Sequence, residues 1–300
     1  SRPSNDSDLP ISQTNLWACG FALVILWGTA YNMITVGVAY MSPIWLVALR
    51  SIFGAILVSI YAYYRGHRFP KFNDIRWVWY LCFGLTGMVA PFFLVAYGQL
   101  TVDSGVSAII VGAMPIMTII LAHFYADEPL TWRTFIGFVV GFLGIVILFL
   151  PDNLSLSLIK DWKAQLCIVG AAFCYAVTTI AAKRAPETPA SLGAAMMILG
   201  AAIASTIAAL LTSPVPTPSV MGYSMAIALG IGSTGIASII YFYVLNKTGP
   251  GVVAKINYFT PLAALVPGVL LLGEPFTLRT VAAFATIVLG VMITRTGKGN

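Results

Sequence analysis

Charge is what this chain has least of, and acidic charge above all. Only 9% of its 300 residues are charged, with Asp and Glu together contributing 10. A soluble globule carries about a quarter charged residues, because its surface must face water. With 59% hydrophobic residues and a mean hydropathy of +0.91, the chain lacks the polar surface for that and belongs in a bilayer. The acids are Asp6, Asp8, Asp74, Asp103, Asp127, Glu128, Asp152, Asp161, Glu187 and Glu274, all in tails, loops or span ends. A proton antiporter built on a buried Glu, or an intramembrane protease built on paired Asp, therefore has no central residue here. His123, near the end of the fourth span, is the remaining titratable candidate, as an interfacial histidine or a proton relay.

Cysteine and motif absences exclude further classes. Cys19, Cys82, Cys167 and Cys174 fall inside spans without C-x-x-C spacing, so they read as small hydrophobes, with no disulfide, metal or cofactor expected. No secretory signal pattern opens the chain, and Ser1–Pro10 reads as a tail. Gly230-Ile231-Gly232-Ser233-Thr234-Gly235 spells a dinucleotide fingerprint, but no strand precedes it and no acid follows at the required distance. Small residues there, as at Gly137-x-x-x-Gly141, instead let helices approach, within the chain or in a homodimer.

What the chain does have is long apolar runs. They are about twenty residues each, the length of a membrane-crossing helix, without the alternation of a barrel strand. Ten are predicted, at 15–37, 43–64, 75–98, 103–125, 132–150, 162–182, 189–212, 220–246, 250–272 and 278–295. The chain also repeats itself 146 residues on: Tyr97 with Tyr243, Gly105 with Gly251, Pro115 with Pro261, Glu128-Pro129 with Glu274-Pro275, and Gly54-Ala55 with Gly200-Ala201. Five spans per copy is an odd number, so the second copy enters from the opposite side and the repeat is inverted.

The expected organisation is a cytoplasmic tail at 1–14, a first five-helix repeat at 15–150, a linker at 151–161, a second, inverted five-helix repeat at 162–295, and a tail at 296–300. Loop charges agree, since Lys and Arg collect on the cytoplasmic side. Arg2, Arg65, Arg68, Lys71, Arg76, Arg133, Lys183, Arg184, Lys247, Arg295 and Lys298 fall on the side of the N-terminus; Lys160, Lys163 and Arg279 fall on the other. Both termini are thus expected in the cytoplasm. The net charge of +6 follows from this asymmetry and calls for no nucleic-acid partner.

Two cations enter spans, Arg50 in the second and Lys255 in the ninth, each roughly 8–10 Å deep at 1.5 Å per residue. At that depth a charge must face protein or water, or snorkel to the head groups. Their counterparts are Met196 and Ile109, so these charges break a symmetry the scaffold keeps. Helical spacing puts Lys255 with Tyr258, Thr234 with Ser238 and Tyr241, Tyr175 with Thr179, and Trp27 with Tyr31 on shared faces. Together with Arg50 they are the candidate substrate-binding set. Pro91, Pro115, Pro261 and Pro267 interrupt spans and are candidate hinges.

The segments Pro115 to Glu128-Pro129-Leu130-Thr131 and Pro261 to Gly273-Glu274-Pro275-Phe276-Thr277 resemble the signature of the EamA-type drug/metabolite transporter superfamily, over essentially the whole chain. The resemblance implies a multi-pass protein of the inner membrane that exports small metabolites by alternating access. Bacterial amino-acid exporters of the YddG kind look closest in general organisation. The family's small multidrug members use a carboxylate in their first span, and none lies between Leu16 and Val36 here. The function expected is export of amino acids, aromatic or neutral, with Lys255 on the carboxylate and Tyr258, Tyr241, Tyr175 and Trp27 as an aromatic wall. Nucleosides or sugar phosphates stay open as cargo. A membrane-embedded enzyme is the alternative from another class; it would require an activated nucleophile, a buried acid or a metal, none of which this sequence sets in place.

Overall fold

The computed structural model describes residues 12–102, 107, 110–112, 114–125, 131–149, 162–182, 184–257, 259, 260, 263 and 278–295. Their regular structure is helical throughout. The helices are α1 Gln13–Val38, α2 Pro43–Tyr64, α3 Ile75–Gly98, α4 Met114–Tyr125, α5 Trp132–Phe149, α6 Trp162–Ala182, α7 Ala190–Thr212, α8 Val220–Thr248, α9 Pro250–Asn257 and α10 Leu278–Arg295. Six of them, α1, α2, α3, α6, α7 and α8, are long and apolar enough to cross a bilayer. The predicted spans four, five, nine and ten contain the helices α4, α5, α9 and α10.

Local sequence explains the helix starts. Free amide hydrogens in a first turn need an acceptor from outside the helix. Ser12 accepts from the Asn15 amide at 3.2 Å, Asp74 from that of Arg76 at 2.9 Å, Thr131 from that of Thr134 at 3.1 Å, and Ser219 from that of Gly222 at 3.2 Å. Pro43 begins α2, where its missing amide hydrogen has no intrahelical partner to lose. Thr131 thus caps α5; its repeat counterpart Thr277 lies outside the described residues.

Packing follows the repeat. α2 lies along its own counterpart α7, and α5 along its counterpart α10; α3 packs on α6 as α8 packs on α1, and α8 crosses α2 as α3 crosses α7. In lipid, apolar burial does little to draw helices together, so close backbone approach carries the association. The crossings are made by equivalent glycines. A Cβ on Gly84 would lie 2.6 Å from the Met197 carbonyl oxygen, and one on Gly230, 146 residues later, 2.6 Å from that of Arg50. A Cβ on Gly290 would lie 2.6 Å from the carbonyl oxygen of Gly137. Gly137-x-x-x-Gly141 therefore packs inside the monomer, against α10.

Two further features sit at matching places. α3 widens into a π-helical turn at Leu85–Val89, and α8 does so at Leu229–Ile236. Such turns disturb the i to i−4 ladder and re-aim side chains, and they recur at functional sites. Shifting the first segment by the repeat length places it within the second. The G-x-G-x-x-G motif is thereby accounted for as the wide turn of a helix crossing.

Candidate functional site

Between the repeats lies a cavity of about 160 Å³, room for on the order of ten water-sized groups. That is the scale of a single small metabolite. Its wall draws on α1, α2, α3, α4, α6, α7, α8 and α9.

Arg50 is the charge in this wall among the described residues, and it is only 3% exposed. Its position follows from the crossing at Gly230. Because that glycine lets α8 close on the α2 backbone, the residues one turn further on reach the guanidinium. Arg50 Nε donates to Thr234 Oγ1 at 3.0 Å, and an Nη donates to Ser233 Oγ at 3.1 Å. Ser233 in turn donates to the Leu229 carbonyl at 3.0 Å. The guanidinium carbon sits 3.8 Å from the centre of the Phe92 ring, a cation–π contact whose value grows as water is excluded. Among the described residues the ion pair that forms is Arg76–Asp74, at the start of α3. Arg50 thus has neutral partners and no carboxylate among the described residues.

Aromatic rings and hydroxyls complete the wall. Trp27 and Tyr241 meet with ring centres 6.0 Å apart, and Phe92 and Tyr175 with centres 6.4 Å apart. Tyr241 donates to Thr179 Oγ1 at 3.4 Å, while Thr179 donates to the Tyr175 carbonyl at 2.8 Å. Thr86 and Thr178 share a 2.9 Å hydrogen bond that joins α3 to α6 beside the cavity. Asn257 and Thr260 line it too, and the buried Thr260 hydroxyl has no hydrogen-bond partner among the described residues.

Of the residues singled out in the sequence, Trp27, Tyr31, Arg50, Tyr175, Thr179, Ser238 and Tyr241 line this one cavity. Thr234 stands behind the wall as the acceptor for Arg50. Lys255 is half-buried on α9 and is not part of the lining; Tyr258 lies outside the described residues. Pro91 is buried in α3 directly after the π turn, and Pro115 falls in α4. Pro261 and Pro267 lie outside the described residues. His123 is exposed, its ring set edge-on against Phe124 at 5.3 Å.

Sequence spacing did not single out Ser233 and Phe92. Ser233 precedes Ser238 by five positions, off the α-helical i, i+4 face, and a π turn is what brings both to one wall. Phe92 reads as ordinary packing until its ring is seen over the guanidinium. Both occupy places whose repeat counterparts differ in polarity, Gly87 and Ser238 respectively, and that difference was the available signal.

Sequence comparison names the scaffold. The pattern of the EamA-like transporter family matches residues 15–150 and again 162–296. The chain belongs to the EamA-like transporter family. Similar proteins include the uncharacterized inner membrane transporter YedA of Escherichia coli K12, 26% identical over 293 residues covering 94% of this chain and 91% of YedA. An uncharacterized transporter of Archaeoglobus fulgidus is 26% identical over 287 residues, covering 92% and 97% of the two chains. YoaV of Bacillus subtilis, also an uncharacterized transporter, is 22% identical over 277 residues, covering 91% and 94%. A solved crystal structure aligns with a TM-score of 0.78 over 95% of this chain and 98% of its own, at 20% identity, which shows the shared fold. This EamA-like protein is therefore an integral membrane transporter. Family and relatives alike support transport over enzymatic chemistry.

Proposed function

We propose that this transporter carries small organic solutes bearing a carboxylate, aromatic and neutral amino acids among them, out across the inner membrane. The observation that carries this reading is Arg50: a guanidinium at membrane depth, buried in a ring-lined cavity, held by Ser233 and Thr234 and without an acid partner among the described residues. A cation at the bilayer centre costs about 3 kcal/mol on insertion scales, so its retention calls for a compensating role. Planar guanidinium donors suit a carboxylate. Arg50 takes the place in this reading that the sequence suggested for Lys255.

The rings of Trp27, Tyr31, Tyr175 and Tyr241 suit an apolar or aromatic body. Sugar phosphates fit less well, since one lining cation does not replace the hydration of a dianion. Transport proceeds by alternating access, with the inverted repeats rocking about the cavity and the π turns and Pro91 absorbing the bend. Both termini face the cytoplasm in this arrangement.

Counterflow in proteoliposomes tests the reading. Vesicles loaded with a panel of amino acids, other carboxylates, nucleosides and sugar phosphates should accumulate labelled tracer only with carboxylate-bearing solutes. Accumulation with nucleosides alone would overturn the carboxylate assignment.

A further inference from the structure

The two repeats present matching positions to one cavity, and they do not present the same chemistry. Ser233 and Gly87 are equivalent by the 146-residue offset, as are Thr234 and Met88, and Arg50 and Met196. Gly87 and Met88 line the same cavity as Ser233 and Arg50. The cluster Arg50–Ser233–Thr234 therefore has an apolar twin, Met196–Gly87–Met88. Among the described residues the cavity wall has one charged pole, the positive Arg50, and no acidic counterpart. The described acids agree, since Asp74 and Glu187 both lie between helices and neither lines the cavity.

That asymmetry bears on a zwitterion. The α-ammonium of an amino acid is fixed two bonds from its carboxylate carbon, so docking the carboxylate on Arg50 brings a second cation close to the first. Like charges at such separation repel more strongly where water is excluded. The guanidinium already covers one face of the Phe92 ring, which closes that face to the ammonium. Ser233 Oγ already accepts from Arg50 and donates to Leu229, so an ammonium bound there would sit directly beside the guanidinium.

We infer that the preferred cargo is a net monoanion, a small monocarboxylate with an apolar or aromatic body and no amino group, such as a 2-oxo acid, and that the matching amino acid is a poorer ligand. This rests on the carboxylate reading of Arg50 and sharpens it. It also identifies the kind of chemistry that produces the cargo, namely the removal of an amino group from an amino acid.

Calorimetric titration of the purified full chain tests it with three probes that share one ring: phenylpyruvate, phenylalanine and phenethylamine. The expected order is the oxo acid tightest, phenylalanine weaker by about tenfold or more, and the amine without measurable binding. Ser238→Asp, which sets an acid into the wall, should lower the ratio of oxo-acid to amino-acid affinity by at least about tenfold. Equal or tighter binding of phenylalanine would overturn the inference while leaving the carboxylate reading intact. Binding of the amine alone, or of none of the three, would overturn both.

Discussion

Arg50 Nε and Thr234 Oγ1 lie 3.0 Å apart, and the bond between them joins the first repeat to the second. Both residues are buried, at 3% and 0% exposure, so losing the acceptor leaves a buried guanidinium N–H without its protein partner. Thr234→Val keeps the shape and removes the hydroxyl. Stability should fall by about 1–3 kcal/mol, read as a lower melting temperature in detergent, with weaker apparent affinity for a carboxylate cargo. An unchanged melting temperature and affinity would show that the bond is dispensable.

Equivalent glycines make equivalent crossings, and this has a mechanical consequence. At Gly84 and Gly230 an added Cβ meets carbonyl oxygens of Met197 and Arg50 at 2.6 Å, and backbone cannot move aside as a flexible side chain can. Gly84→Ala and Gly230→Ala should each destabilise by about 1–3 kcal/mol. Gly251, on α9, has nothing within 4 Å of the built Cβ. Gly251→Ala should leave stability unchanged or raise it by up to about 1 kcal/mol. Thermal unfolding of the three variants in one detergent checks the contrast.

Inversion makes a topological prediction. The loops after α2 and after α7 occupy corresponding places in the two repeats, and the inverted arrangement proposed above would put them on opposite faces of the membrane. Single cysteines at Arg68 and Val215, in a background without the native thiols, should label with an impermeant reagent from opposite sides. Arg68 should be reached from the cytoplasm, the side where Lys and Arg collect.

At the start of α3, Asp74 receives hydrogen bonds from the Arg76 side chain at 2.6 and 3.0 Å and from the Arg76 amide at 2.9 Å. These hold its carboxyl down at about 2, below the ordinary aspartate value near 3.9. A depressed folded pKa means that the cap's contribution is fully present above about pH 4 and is lost as pH falls through about 2. The difference in melting temperature between the native chain and Asp74→Ala should therefore hold constant from pH 7 to about 4 and shrink below that. A difference that stays constant to pH 2 would contradict the ionic cap.

Much of the architecture was legible because lipid imposes few options. Runs of membrane length must be helical, and the pairing of Gly54-Ala55 with Gly200-Ala201 already aligned α2 with α7, which the fold then packs together. Ring and hydroxyl residues such as Trp27, Tyr175 and Tyr241 converge because span depth and helical face place them at one level. Lys255 was harder to place. Depth along a span says how far a cation sits from water, not which way its helix is turned, and rotation is set by neighbouring helices. The π turns were also hidden. No residue type specifies them, yet they decide that Ser233 and Ser238 share a wall.

Exchange flux with the charge at position 50 altered tests the central claim most directly. In proteoliposomes matched for folded protein, Arg50→Met, which installs the residue found at the equivalent position 196, should cut carboxylate exchange by roughly thirtyfold or more, the range expected on losing one partner of a buried charge pair. Arg50→Lys should retain part of the flux, since it keeps the charge and loses the planar donor geometry. Carboxylate exchange by Arg50→Met at the native rate would contradict the account.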